Sequence, residues 1–223
     1  MASTGGAGRR KWVAWTVAVV LVAASGTGAV VFHERKQQAA QNAAHKDAVR
    51  AAVKMASIYA TDIGELETKS SKITFGEYFK KTEAALSEID KSAIQLKSAA
   101  TGANPYLDPS LGYIKQVQDL IRTLNAGTRA TMSASSVSDR VDRIAGGSFS
   151  VSFRLEQLQE AQRDLKKAIE DKEKADAEGL QQLKSLRPKA AWVQTTLGPD
   201  AGIAPNLFDE LEKKLSGSKS KAS

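Results

Sequence analysis

The chain has 223 residues, 42% of them apolar, which is enough to bury one ordinary core beside an anchor and too much for a disordered chain. Aromatic residues make up only 6% and cysteine is absent, so helices are favoured over a sandwich or barrel, and disulfides, thiol catalysis and thiolate metal sites are excluded. The net charge of +7 sits at the two ends: residues 1–37 carry +4, residues 213–223 another +4, and the body between is left at −1, which speaks against nucleic-acid binding by a folded domain.

Residues 1–11 read as a basic cytoplasmic tail, closed by Arg9, Arg10 and Lys11. Trp12–Phe32 then runs 21 residues without a charge, and at ~1.5 Å per residue a helix of that length matches a hydrocarbon layer of ~30 Å. Trp12 and Trp15 at one end and Phe32 at the other suit the headgroup levels, and the basic cluster sets the N-terminus inside. The expectation is one transmembrane helix in the inner (cytoplasmic) membrane, with the remaining chain periplasmic or otherwise extracytoplasmic. A cleaved signal peptide with small Val22 and Ala24 before the cut is the competing reading. It is disfavoured because apolarity resumes at Ala29–Phe32. Ala24 with Gly28, and Ser25 with Ala29, have the four-residue spacing of close helix pairs, so a homo-oligomer is conceivable.

Residues 33–48 predict a helical stalk. The bundle predicted over 49–186 opens with Val49, Ala52, Ala56, Tyr59, Ile63 and Leu66, which step by three and four along one helix face. Thr74-x-x-Glu77 is a capping box for a second helix, whose core face is Phe75, Phe79, Leu86, Ile89, Ala93 and Leu96, with Thr82 the polar exception. Asp108 before Pro109 predicts the N-cap of a third helix facing inward through Ile114, Val117, Ile121 and Leu124. Its later part, small and hydroxyl-rich, predicts closer packing or lower stability.

Gly146-Gly147 is a break. The alternation in "SFSVSF" has a strand's period, but no partner strand is in evidence and the run leads into a helix carrying Val151, Leu155, Leu158, Leu165, Ile169, Leu183 and Leu186. The interval "EDKEKADAEG" predicts a solvated face, and Pro188 a helix end. Residues 187–215 hold a short amphipathic helix with Leu207, Phe208, Leu211 and Leu215 on one side, and 216–223 a disordered basic tail. The fold class is therefore all-α: a membrane helix, an antiparallel four-helix bundle and a short C-terminal helix.

Chemistry-bearing patterns are few. The two histidines, His33 and His45, lie in the stalk, and there is no paired-His zinc motif, phosphate loop or nucleophile elbow. No cofactor or metal is expected and the protein is not read as an enzyme. The expected function is a non-enzymatic interaction or scaffold component of a cell-envelope complex, with a protein partner. A ligand-sensing ectodomain, or a secreted protein released by cleavage, is the alternative. Candidate partner-binding residues are Trp192, Leu207, Phe208 and Leu211.

Overall fold

The structure, a computed structural model, describes residues 40–68, 73–99, 104–147 and 150–217. The chain divides between His45 and Lys46 into two units. Of the first, only residues 40–45 are described, all of them helical; everything below concerns the second. Arg9, Arg10, Lys11, Trp12, Trp15 and Phe32 lie outside the described residues. Among the described residues no helix is long and apolar enough to cross a membrane.

All regular structure described is helical: α1 over residues 40–68, α2 Phe75–Ala99, α3 Leu107–Gly146, α4 Val151–Leu197 and α5 Pro205–Gly217. In α1 the expected stripe is the buried one, with Val49, Ala52, Ala56 and Ile63 inside and Tyr59 and Leu66 half-buried. The capping box forms at α2: the Glu77 N–H donates to the Thr74 hydroxyl at 3.2 Å, and the Thr74 N–H donates back to the Glu77 carboxylate at 3.1 Å. The Thr74 N–H and the Thr74 hydroxyl, both donating to the Glu77 carboxylate, hold that carboxyl below its usual range. The buried face of α2 is turned slightly from the expected one. It runs through Tyr78, Thr82, Ala85, Ile89, Ser92 and Leu96, while Phe75 is exposed. Small residues thus meet the neighbouring helices, and Thr82 is central to the face, its hydroxyl donating to the Phe79 carbonyl at 2.9 Å.

Helix α3 starts earlier than Asp108 would set it. Tyr106 is the N-cap residue, without a side-chain cap bond, and the Asn104 side chain instead accepts from the Tyr106 N–H at 3.0 Å. Asp108 and Pro109 fall in the first turn, where a missing N–H costs nothing and a carboxylate suits the helix dipole. At the other end Gly147 closes α3, and Ser150 caps α4 by accepting from the Phe153 N–H at 3.4 Å, so "SFSVSF" feeds a helix.

Pro188 does not stop α4, which continues to Leu197. A proline in a helix interior costs ~3 kcal/mol. Here it lies on the exposed side, as does Lys184, whose carbonyl loses its bond, while Leu186, Ala190, Val193 and Leu197 are buried on the other. Burial at roughly 1.5–3 kcal/mol per large side chain outweighs the defect. The domain boundary expected at 186/187 therefore falls inside a helix. The charged interval before it is not wholly solvated either: Ala175, Asp176 and Gly179 are buried.

Contacts fix the directions. Gly112 lies by Lys189, Thr123 by Gly179, Gly127 by Ala175 and Arg140 by Asp164, so α3 and α4 form an antiparallel hairpin in constant register. Asp90 accepts from Gln118 at 2.6 Å and Glu83 pairs with Arg129, which sets α2 antiparallel to α3. Ser57 with Tyr113 and Glu67 with Thr128 set α1 parallel to α3. The helix α5 rests on α1 and α4 at two glycines. A Cβ on Gly64 would stand 2.8 Å from Leu207, and one on Gly179 2.9 Å from Leu215, so both leucines need the bare backbone.

The α4–α5 connection is pinned to the bundle. Ser57 donates to the Ala201 carbonyl at 2.7 Å, its hydroxyl lies 2.8 Å from that of Tyr113, and the Ile203 N–H donates to Tyr113 at 3.3 Å. Burial pushes the Tyr113 phenol up from its ordinary value, keeping it neutral. Arg50 and Lys54 of α1 hold Asp200 from outside at 2.5 and 2.6 Å, and these two cations keep its carboxyl well below the usual carboxylate range. Tyr113→Phe strands the buried Ile203 N–H and is expected to cost about 1–3 kcal/mol, read as a fall in the urea midpoint at unchanged slope.

Candidate functional site

The side chains that sequence pattern nominates for a partner are placed differently from one another. Leu207, Phe208 and Leu211 are buried, at 3%, 2% and 1% exposure, against α1 and α4. They do not form an exposed apolar face. Trp192 lies within α4 and packs half-buried against the same core. Leu207, Phe208 and Leu211 thus join α5 to the core of the bundle.

The apolar surface left open lies elsewhere, and the helix lengths create it. Helix α2 has 25 residues, α3 40 and α4 47, so at ~1.5 Å per residue α3 outruns α2 by roughly 20 Å. Along this extension the hairpin seam is made of Ala130, Val137 and Ile144 on α3 and Ala161, Ala168 and Ala175 on α4, each set repeating every seven residues. The small side of the seam is the alanine row of α4; the hydroxyl residues of α3, Thr131, Ser133, Ser135, Ser136 and Ser138, are exposed and take no part in it.

Alanine in the seam leaves the larger apolar residues of α4 outside it. At 100° per residue, Val151, Leu155, Leu158, Leu165 and Ile169 form a stripe roughly 90–100° around the helix from the alanines. Val151 is 84% exposed, Leu155 59%, Ile169 45% and Leu158 37%; Leu165 is half-buried. Their steps of four and three, interrupted only by Gln162, follow the coiled-coil repeat. The side of the stripe turned away from α3 carries Glu156, Arg163, Lys166, Glu170 and Glu173, exposed charges of both signs. Heptad spacing is legible in the sequence; that these residues are unburied is not, because the pattern reads equally as the core seam.

Among the described residues no group of acidic, histidine or cysteine side chains is gathered to hold a metal ion. Two buried carboxylates occur at the root of the hairpin, Glu67 and Asp176, each met by a lysine. Compared with known protein families, curated proteins and solved structures, the chain matches none.

Proposed function

We propose that this chain is a non-enzymatic interaction protein, an antiparallel four-helix bundle with a short C-terminal helix that scaffolds or regulates a cell-envelope complex. It is held in the inner membrane by Trp12–Phe32 and carries its bundle outside the cytoplasm. The uncharged length of that segment and its basic flank support the anchor. The observation that carries the interaction reading is the open heptad stripe Val151–Ile169 on the projecting hairpin. Its occupant is a helix of a partner protein with a matching apolar repeat. Only another helix fills a four-three row of knobs, and the mixed charges beside it suit a partner with complementary charges rather than a lipid surface.

The test places a photo-crosslinking amino acid at Leu155 or Leu165 of the full chain, in the cells that make it, with exposed Glu160 on the opposite face as control. Both stripe positions are expected to capture the same helical segment of one partner, and the control none. Adducts between two copies of this chain would replace the partner with self-association, and absence of adducts would remove the stripe as a docking site. Leu155→Glu with Ile169→Glu is expected to weaken capture at least about tenfold while changing stability by no more than about 1 kcal/mol per site, since Leu155 is 59% and Ile169 45% exposed.

A further inference from the structure

A cavity of about 380 Å³ lies at the root of the hairpin, where α1 ends, α2 begins and α5 crosses α4. It is independent of the docking stripe, and its walls differ in chemistry. Leu66, Ile73, Leu124 and Leu215 form an apolar side. Facing them are Glu67, Tyr78, Thr128, Lys172, Asp176 and Lys214. The carboxylates are deepest: Asp176 is 1% exposed and the Glu67 side chain 9%. The lysines reach them from the rim, their side chains 30% and 37% exposed. Lys172 donates to Asp176 Oδ2 at 2.6 Å, Lys214 to the Glu67 carboxylate and backbone carbonyl, and Thr128 to Glu67 Oε1 at 2.5 Å.

One group in this wall is unsatisfied. Tyr78 is 4% exposed, and its hydroxyl, beside Glu67 and Thr128, makes no hydrogen bond of acceptable geometry among the described residues. Burial first, and the Glu67 carboxylate second, push its ionisation far up, so it is a neutral O–H with a hydrogen to donate. A buried hydroxyl without a partner costs about 1–3 kcal/mol, and such groups in cavities are met by water or by ligand.

Water would serve Tyr78 and leave the apolar wall wet; a purely apolar molecule would do the reverse. Charge narrows the choice. Two carboxylates and two ammonium groups balance, so a ligand of net charge would leave one of them uncompensated in a half-buried site. A zwitterion keeps the balance: its ammonium takes a deep carboxylate, and its carboxylate takes the hydroxyl of Tyr78 and a rim lysine, whose flexible stem can follow it. We propose that this cavity binds a small zwitterion with an apolar side chain, an α-amino acid of about leucine or phenylalanine size.

The test is isothermal titration of the detergent-solubilised full chain with L-leucine, L-phenylalanine, 3-methylbutan-1-amine and 4-methylpentanoate, the last two each keeping one of leucine's charges. At least one amino acid is expected to bind at a single site, with both one-charge analogues weaker by about tenfold or more. Tyr78→Phe should weaken binding about tenfold. Thr131→Trp, at an exposed position on the cavity wall, should block binding without lowering the melting temperature of the unliganded protein. Absence of binding by both amino acids up to about 10 mM would overturn the assignment. So would an amine or carboxylate that binds as tightly as leucine, or binding unchanged by Thr131→Trp. None of these results bears on the crosslinking outcome for the stripe.

Discussion

Phe208→Ala is expected to lower the stability of the folded unit by about 3–5 kcal/mol, the range for removing a fully buried aromatic side chain. The ring is 2% exposed, and the Arg187 guanidinium covers it 5.4 Å from the centroid, so truncation opens a cavity and also removes a cation–π contact. It further loosens α5, whose Asp209 and Glu212 are held by the same Arg187 at 3.0 and 3.1 Å. A loss of this size is a large part of the roughly 5–15 kcal/mol that keeps a domain folded. Trp192→Ala, at a half-buried position, is expected to cost less, about 1–2 kcal/mol. Urea unfolding followed by far-ultraviolet circular dichroism separates the two. If α5 were itself the docking face, Phe208→Ala would abolish partner capture in the fraction still folded; with the stripe on α4 as the face, that fraction retains it.

Lys172→Met should destabilise the unit by about 3–5 kcal/mol, because it strands a carboxylate whose side chain is 2% exposed. Asp176→Asn should cost less, since the lysine left behind is 30% exposed and can turn its ammonium into water. The double variant is expected to recover most of the loss of Lys172→Met. In a double-mutant cycle this appears as a coupling of about 2 kcal/mol or more, measured by denaturant unfolding at one pH and ionic strength. Additive single effects would show that the two groups act independently, and that the depth of Asp176 is matched by another partner.

Much of the helical layout is legible in the amino-acid sequence alone. The capping box at Thr74/Glu77, the double-glycine break and the stripes of α1 and α5 are local signals: each depends on residues three or four apart, whose geometry is set by the helix itself. The capped start at Asp108 and the stop at Pro188 fail for the opposite reason. Both are local preferences worth a few kcal/mol at most, and buried neighbours farther along, Tyr113, Ile114 and Val117 in α3 and Ala190, Val193 and Leu197 in α4, outweigh them.

The candidate sites are less legible still. Leu207, Phe208 and Leu211 are apolar in sequence whether they meet a partner or their own bundle, and only the packing of α5 onto Gly64 and Gly179 decides between the two. Tyr78 and Asp176 carry no pattern; they matter because α1, α2, α3, α4 and α5 bring them to one cavity.

By itself the amino-acid sequence determined the helical class, the number of long helices and the uncharged segment Trp12–Phe32, because hydrophobic period and charge distribution are properties of the chain. Which face of α2 and of the outer half of α4 is spent on the core was decided only by the tertiary structure. In the outer half of α4, Ala161 and Ala168 take the seam while Leu155 and Leu158 stay outside: close approach of two helices favours small side chains, and that preference exists only once a second helix is there to meet.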